Sequence, residues 1–371
     1  MVSSWLDLLY SDVHEFIKDI YIICFAKRYL RFMQADVLYM QRALQLSLLG
    51  KGTVAPNPMV GAVIVHDDQI IGEGYHEKFG EAHAEVNAIN SVSDSSLLKE
   101  STIYVTLEPC AHHGKTPPCA DLIVEKQFKR VVIGALDSHS KVDGKGRGII
   151  ERNGIPTECG ILEEEIRKVN KHFFTYHEKK RPFVFLKWAQ TPNGLIDNDG
   201  QQAWISSPEI KPIVHQWRNE HQAILVGKNT VLKDDPELTV REVKGSNPTR
   251  VLIDPDLSVP HSKRIFNDDA ETIIFNNLQN ETRGTNTYIQ LEDLSIHNIL
   301  DQLYQLNIIS LMVEGGAFTA NQFIQSGLWD EAKVIIGANT FEKGTKAPVL
   351  DIIPLSEEVL FGNQIQTFVK S

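Results

Sequence analysis

Three side chains with soft donor atoms, His83, Cys110 and Cys119, limit the possible folds of this chain most tightly. For them to meet, two helix starts and one strand end must converge. His83 opens a stretch with helical periodicity over 82–89, Cys110 lies just past a β-branched run at 102–107, and Cys119 follows Pro117-Pro118 where another helix is expected to begin. Helix N-termini favour thiolates, so the spacing places each donor where the backbone supports it. The other cysteines, Cys24 and Cys159, read as ordinary core or surface residues.

The alternation around these residues predicts an α/β protein. After a helix at 36–49 come strands at 60–66 and 69–74, separated by Asp67-Asp68 as a turn, then the helix at 82–89, a strand at 102–107, a helix from Pro118 and a strand at 130–136. Such alternation implies a mostly parallel sheet with helices on both faces. A chain of 371 residues is expected to form two domains. The first covers 33–176, and the charged, proline-ended stretch His177-Glu178-Lys179-Lys180-Arg181-Pro182 is expected as a linker. A second α/β domain then fills 183–371, with strands at 183–187, 223–226, 249–253, 272–275, 310–313 and 332–336 and helices near 208–220 and 293–306. The glycine-rich run Gly144-Lys145-Gly146-Arg147-Gly148 is expected to be a flexible loop.

Composition narrows the partners. With 42% hydrophobic and 23% charged residues the chain is globular, and its net charge of −11 leaves no electrostatic footprint for gripping a phosphate backbone. Nucleic acid is not an expected partner. Four unevenly spaced cysteines make no disulfide framework, so a reduced, cytoplasmic protein is expected. Residues 1–32 are rich in aromatic and aliphatic side chains, but the apolar run from Ile20 to Ala26 is too short to span a bilayer and lacks the basic start of a signal peptide. They are expected to be an extension without a catalytic role, either an amphipathic appendage or an over-long gene start ahead of Met33, and no membrane partner is expected.

One imidazole and two thiolates supply three zinc ligands and leave a fourth position open, which is the arrangement of a catalytic metal. The pattern His83-Ala84-Glu85 followed by Pro109-Cys110 and Cys119 matches the zinc-deaminase signature, in which the glutamate is the general acid/base and does not bind metal. One departure stands out. Eight residues, 111–118, separate the cysteines where the generic signature has two. One zinc per chain is therefore expected on His83, Cys110 and Cys119, lowering the pKa of its water to about 7, with Glu85 carrying the proton to the departing ammonia. A structural zinc would want a fourth protein ligand, for which His112 and His113 are the available residues.

The loop from Glu108 to Cys119, the segment Pro56-Asn57-Pro58-Met59-Val60-Gly61, Gly74-Tyr75-His76 and Gly80 to Val86 together resemble the deaminase domain of the bifunctional deaminase/reductases of riboflavin biosynthesis. That resemblance implies a cytidine-deaminase-like α/β/α domain acting on a diaminopyrimidinone that carries a ribosylamine 5′-phosphate. By the same resemblance Asn57, His76 and Lys115 line its pocket. The second half resembles the family's reductase through Lys187-Trp188-Ala189, Trp204 to Pro208, Arg218, Gly227 to Arg241 and Val313-Glu314-Gly315-Gly316. This implies a dihydrofolate-reductase-like α/β domain that uses NADPH to convert the ribosyl group to a ribityl chain. The implied cofactor contacts are Ala189, Trp204, Thr230, Asp234, Gly316, Ala317, Phe318 and Thr319, and the implied substrate contacts are Gln202, Arg218, Leu238, Arg241 and Glu314. A homo-oligomer is also expected.

Residue reasoning supports the second domain less directly: Gly315-Gly316 ends a strand ahead of a helix, which makes a phosphate site, while no G-x-G-x-x-G follows a strand, which disfavours a Rossmann domain. Three positions depart from the family pattern: Thr191-Pro192-Asn193-Gly194 in place of Ser-Leu-Asp-Gly, Gln202 in place of serine, and Pro255 at a position that often contacts cofactor. The competing readings are a deaminase of another nucleobase or nucleoside with a non-catalytic nucleotide-binding second domain, and a scaffold that binds a nucleotide without turnover.

Overall fold

The computed structural model describes residues 34–111, 117–138, 142, 144–199 and 203–370. Lys115 and Gln202, both expected at substrate, and the extension 1–32 fall outside them. The chain forms two units, the first from residues 34–50 and Met59–Val169, the second from Lys51–Pro58 and 170–370.

In the first unit a helix, α1 (34–47), precedes the hairpin of β1 (Gly61–His66) and β2 (Gln69–Tyr75). Asp67 and Asp68 both take positive φ, 45° and 57°, as a two-residue hairpin turn requires. Then follow α2 (Ala84–Asn90), β3 (Thr102–Leu107), α3 (Cys119–Lys126), β4 (Arg130–Ala135), α4 (Lys145–Arg152), β5 (Thr157–Cys159) and α5 (Glu163–Val169). The sheet order is β2-β1-β3-β4-β5. Its β2-β1-β3 side is antiparallel and its β3-β4-β5 side parallel, so the expected parallel sheet is half realised. Ile64, Val105 and Ile133 face one buried cluster with Ala88 and Ile123, each large aliphatic contributing about 1.5–3 kcal/mol by burial.

Gly74 sets where α2 lies. A Cβ there would stand 2.3 Å from the Ala88 nitrogen and 2.6 Å from the Ala84 oxygen, so only glycine lets the helix settle this closely on β2. Asn87 reinforces the contact by donating from Nδ2 to the Tyr75 carbonyl at 2.8 Å.

The glycine-rich run expected as a loop is instead the start of α4, with Gly144 as its N-cap residue. The expected linker also begins inside an element, because α6 (Lys171–Lys179) carries its first three residues, and the boundary between units falls ahead of it, between Val169 and Asn170. The charges of His177, Glu178 and Lys179 hide a helix whose Phe173, Phe174 and Tyr176 are buried.

The second unit continues with β6 (Phe183–Gln190), α7 (Lys211–Asn219), β7 (Ala223–Gly227), α8 (Lys228–Asp234), β8 (Thr249–Ile253), β9 (Thr272–Asn276), β10 (Glu281–Arg283), β11 (Asn286–Gln290), α9 (Ile296–Gln305), β12 (Ser310–Val313), α10 (Ala317–Ser326), β13 (Glu331–Ile336), β14 (Ser356–Leu360) and β15 (Asn363–Val369). They build a ten-stranded sheet in the order β10-β11-β9-β8-β7-β12-β6-β13-β15-β14, parallel from β11 to β13 and antiparallel at both edges. Along β6, Val184, Leu186 and Trp188 enter one core cluster while Phe183 and Phe185 enter another. Successive side chains point to opposite faces, so Phe183 to Leu186 are buried on both sides and read as a continuous apolar run, which Lys187 ends.

Candidate active sites

The first candidate site is assembled at the end of β3 and the starts of α2 and α3. His83 is the extended N-cap residue of α2 (φ −74°, ψ 163°), and Glu85 lies in that helix's first turn, only 3% exposed. Cys119 opens α3 and donates its backbone N–H to Cys110 Sγ at 3.3 Å, while Ala120 N–H bonds the Cys110 carbonyl at 3.2 Å. His83 Nδ1 lies 3.4 Å from Cys119 Sγ and 3.6 Å from Cys110 Sγ. All three donor atoms fall within 4.8 Å of one another. That is the span of one ion's ligand shell, and an imidazole with two thiols is a donor set that suits zinc.

The electrostatics agree. Hydrogen bonds from the Cys119 thiol and from His83 drive the Cys110 thiol well below its ordinary value, while the bond to Cys110, burial and Glu85 push Cys119 up. A cation bound among them would draw both toward thiolate. Burial pushes Glu85 up to about 7, against the pull of His83, so its carboxyl is poised near neutrality to take and return a proton. His76 packs edge-on to His83 with ring centroids 5.5 Å apart, and its Nδ1 contacts the Ala82 carbonyl at 3.0 Å. Burial lowers its pKa, which favours the neutral ring.

Asn57 sits in the turn before β1, half-buried, with its N–H on the Val54 carbonyl, and its segment is grouped with the second unit. Asn87, whose bond fastens α2 to β2, was missed by sequence reasoning because an asparagine on a helix carries no pattern of its own.

In the second unit a cavity of about 440 Å³ gathers seven of the eight expected cofactor residues: Ala189, Trp204, Thr230, Asp234, Gly316, Ala317 and Phe318. Thr319 does not line it and is buried on the inner side of α10. Gly316, the N-cap residue of α10, donates its N–H to Thr230 Oγ1 at 3.1 Å, which joins the starts of α8 and α10 at the cavity wall. Trp204 and Phe318 are 70% and 72% exposed, and Lys211 Nζ stands over one face of the Trp204 ring, 4.4 Å from its centroid. Burial raises Asp234. Asp197 and Lys233 also line the cavity; Lys233 lies within the segment Gly227 to Arg241 that carries the resemblance, whereas nothing in the sequence surroundings of Asp197 marks it.

The expected substrate residues separate into two groups. Glu314 lines the cavity, and its Oε2 accepts from Arg218 at 2.6 Å while Lys187 Nζ approaches Oε1 at 3.5 Å. Burial alone would raise this carboxyl, yet Arg218 and Lys187 hold it at about 2. Arg218 also donates to the Thr239 carbonyl at 3.2 Å. Leu238 is 2% exposed with φ +57°, and Arg241 is half-exposed, donating to Glu237 and to Thr239 Oγ1. The Arg241 backbone N–H is received by His215 Nδ1 at 2.9 Å, a histidine on α7 that sequence reasoning passed over. Of the departures, Thr191 to Gly194 form a tight turn in which Gly194 takes φ +76° and Asn193 donates to the Phe341 carbonyl.

Fold and site thus define a zinc-type deaminase domain joined to an α/β domain with a nucleotide-sized cavity. Residues 33–135 match the cytidine and deoxycytidylate deaminase zinc-binding region, and residues 182–344 match the RibD C-terminal domain. Riboflavin biosynthesis protein RibD of Aquifex aeolicus is 42% identical over 335 residues, covering 88% of this chain and 93% of that protein. RibD of Escherichia coli is 35% identical, covering 81% and 87%. Among solved structures, the Thermotoga maritima diaminohydroxyphosphoribosylaminopyrimidine deaminase/5-amino-6-(5-phosphoribosylamino)uracil reductase superposes with a TM-score of 0.83 at 38% identity, covering 92% of this chain and 100% of that one. Acinetobacter baumannii RibD gives 0.82 at 31% identity, covering 91% and 99%.

The chain belongs to the RibD family. It is a bifunctional enzyme of riboflavin biosynthesis, a deaminase domain followed by a reductase domain. No helix among the described residues is long and apolar enough to cross a membrane.

Proposed function

We propose that this chain deaminates a diaminopyrimidinone bearing a ribosylamine 5′-phosphate, replacing the amino group at ring carbon 2 by oxygen, and then reduces the ribosyl group to a ribityl chain with NADPH. The observation that carries the first step is the convergence of His83 Nδ1, Cys110 Sγ and Cys119 Sγ within 4.8 Å beside buried Glu85. Zinc held by these three residues would supply Lewis acidity that makes water nucleophilic near neutral pH. Glu85 takes the proton from the attacking water and delivers it to the leaving ammonia. His76, as a neutral ring against His83, helps shape the pocket wall, with Asn57 and Lys115 as further substrate contacts.

In the second domain Ala189, Trp204, Thr230, Asp234 and the start of α10 at Gly316 to Phe318 would hold NADPH, which supplies the hydride. A helix start offers backbone N–H groups and a favourable dipole to a phosphate. Gln202 completes the proposed substrate set. Glu314, locked by Arg218 and Lys187, offers a fixed acceptor for sugar hydroxyls, and Arg241 offers a cation for the 5′-phosphate.

The free cysteines of the metal site suit a reducing cytoplasm. Self-association is supported by the outer strand β14, which ends the sheet with Val359 75% exposed, beside Ile353 at 90% and Leu355 at 73%. Light scattering on purified protein tests this, and a monomer at all concentrations would exclude it.

The deciding experiment combines metal analysis with a coupled assay of ammonia release and NADPH oxidation on the diaminopyrimidine phosphate. The parent should carry one zinc and perform both steps, and Cys119→Ser should lose metal and deamination together. Full zinc occupancy in Cys119→Ser would remove that residue from the site.

A further inference from the structure

Glu108 stands immediately after β3, two residues ahead of Cys110, and is only 3% exposed. A buried carboxylate needs partners, and here they come from the backbone of a segment far along the chain. Its Oε2 accepts the Gly144 N–H at 3.0 Å and the Asp137 N–H at 3.3 Å, and its Oε1 accepts the Arg147 N–H at 3.0 Å. Gly144 is the N-cap residue of α4 and Arg147 lies in its first turn, and a glycine cap has no side chain to satisfy the Arg147 N–H. Glu108 therefore caps α4 from outside the helix.

The contact is close as well as polar. A Cβ on Gly146 would stand 1.9 Å from the Pro109 carbonyl oxygen, so Pro109 rests against α4 at a distance that only glycine allows. On its other side the same segment is bound by the Glu108 N–H to the Ala135 carbonyl at 3.0 Å, and by α3 through Ala120 and Cys119. Cys110 thus hangs from a three-residue segment clamped by β4, α3 and α4.

We infer that Glu108 is a positioning residue of the metal site: its carboxylate, bonded to the backbone of Asp137, Gly144 and Arg147 and backed by the Gly146 contact, fixes Cys110 where a metal can take it together with His83 and Cys119. It touches neither substrate nor metal. The inference rests on the zinc reading of the site and extends it to the glycine-rich run, which thereby acquires a purpose beyond chain connection.

The test is the zinc affinity of the metal-free protein, measured by competition with a chromophoric chelator, alongside thermal unfolding of the same metal-free samples. Glu108→Gln turns one acceptor oxygen into an amino group facing N–H donors, and Gly146→Ala pushes Pro109 away. Each should weaken zinc binding by about 10–100-fold, the size seen when groups supporting metal ligands are removed. Glu151→Gln breaks the Arg147–Glu151 pair on the same helix without touching Pro109, and should bind zinc like the parent. If Glu108→Gln fails to fold, Gly146→Ala decides alone. Zinc affinity within twofold of the parent in the folded variants, or an equal loss in Glu151→Gln, overturns the inference. A parent that takes up no zinc would instead overturn the reading of the site itself.

Discussion

The Arg218 guanidinium donates to the Glu314 carboxylate at 2.6 Å, both side chains largely shielded from water, at 13% and 8% exposure. They are 96 residues apart in sequence and join α7 to the end of β12 at the reductase cavity. With Lys187 on the other carboxylate oxygen, Glu314 balances two cations. Removing the carboxylate strands both charges in a low-dielectric site. Glu314→Gln is therefore expected to destabilise the reductase domain by roughly 3–5 kcal/mol, read as a lower urea midpoint, and to lose reduction. Unfolding at the parent's urea concentration would show that the pair does not hold this end of the sheet.

Glu85→Gln is expected to keep zinc and lose deamination by about 10²–10⁴-fold or more, since a general acid/base is removed while the three ligands stay. Metal content and ammonia release are the two measurements. A variant that lost its zinc would make Glu85 a ligand instead.

Acid should weaken the second unit through His221, which is buried, and His172, which is partly buried. His172 and His221 have ring centroids 5.1 Å apart, and the Nε2 of each has no partner among the described residues. Burial first, and then neighbouring cationic groups, lower both, His221 to about 4. The unfolded chain, with a histidine value near 6.5, takes up protons before the folded one does. Stability from this pair is thus fully present above about pH 6.5 and falls as pH drops toward 4. His221→Phe, which keeps a ring against Phe185, should flatten the dependence of the urea midpoint on pH between 7.5 and 5. An unchanged slope would assign it to other groups.

Arg241 is held at the surface by Glu237 and Thr239, with its backbone fixed on His215. If it meets the substrate phosphate, Arg241→Ala should raise the Michaelis constant about ten- to a hundredfold, the loss of a charge-assisted bond of roughly 1.5–3 kcal/mol. NADPH binding should stay near the parent value. Weaker NADPH binding with an unchanged substrate constant would place the arginine in the cofactor site.

What could be read from the chain depended on whether a residue's role is local. Strands β8 and β12 occupy the expected spans because a parallel strand covered on both faces carries an apolar stretch, here Val251-Leu252-Ile253 after the buried Arg250 and Leu311-Met312-Val313 after Ser310. The edge strands β10 and β14 escaped: Ser356–Leu360 is exposed along almost its whole length, and an edge facing water needs no such pattern.

By itself the sequence singled out the residues proposed for the chemistry of the first domain, since His83, Glu85, Cys110 and Cys119 are chosen by donor type and by their places at helix starts and a strand end. Only the tertiary structure decided what depends on partners distant in sequence. Gly144 to Gly148 begin a helix because Glu108, 36 residues before Gly144, satisfies the first-turn amides. Arg218 is a buried partner of Glu314 before it is anything to substrate. In both cases the deciding free energy is that of a buried polar group finding its complement. Local sequence cannot specify a complement that the fold brings in from elsewhere.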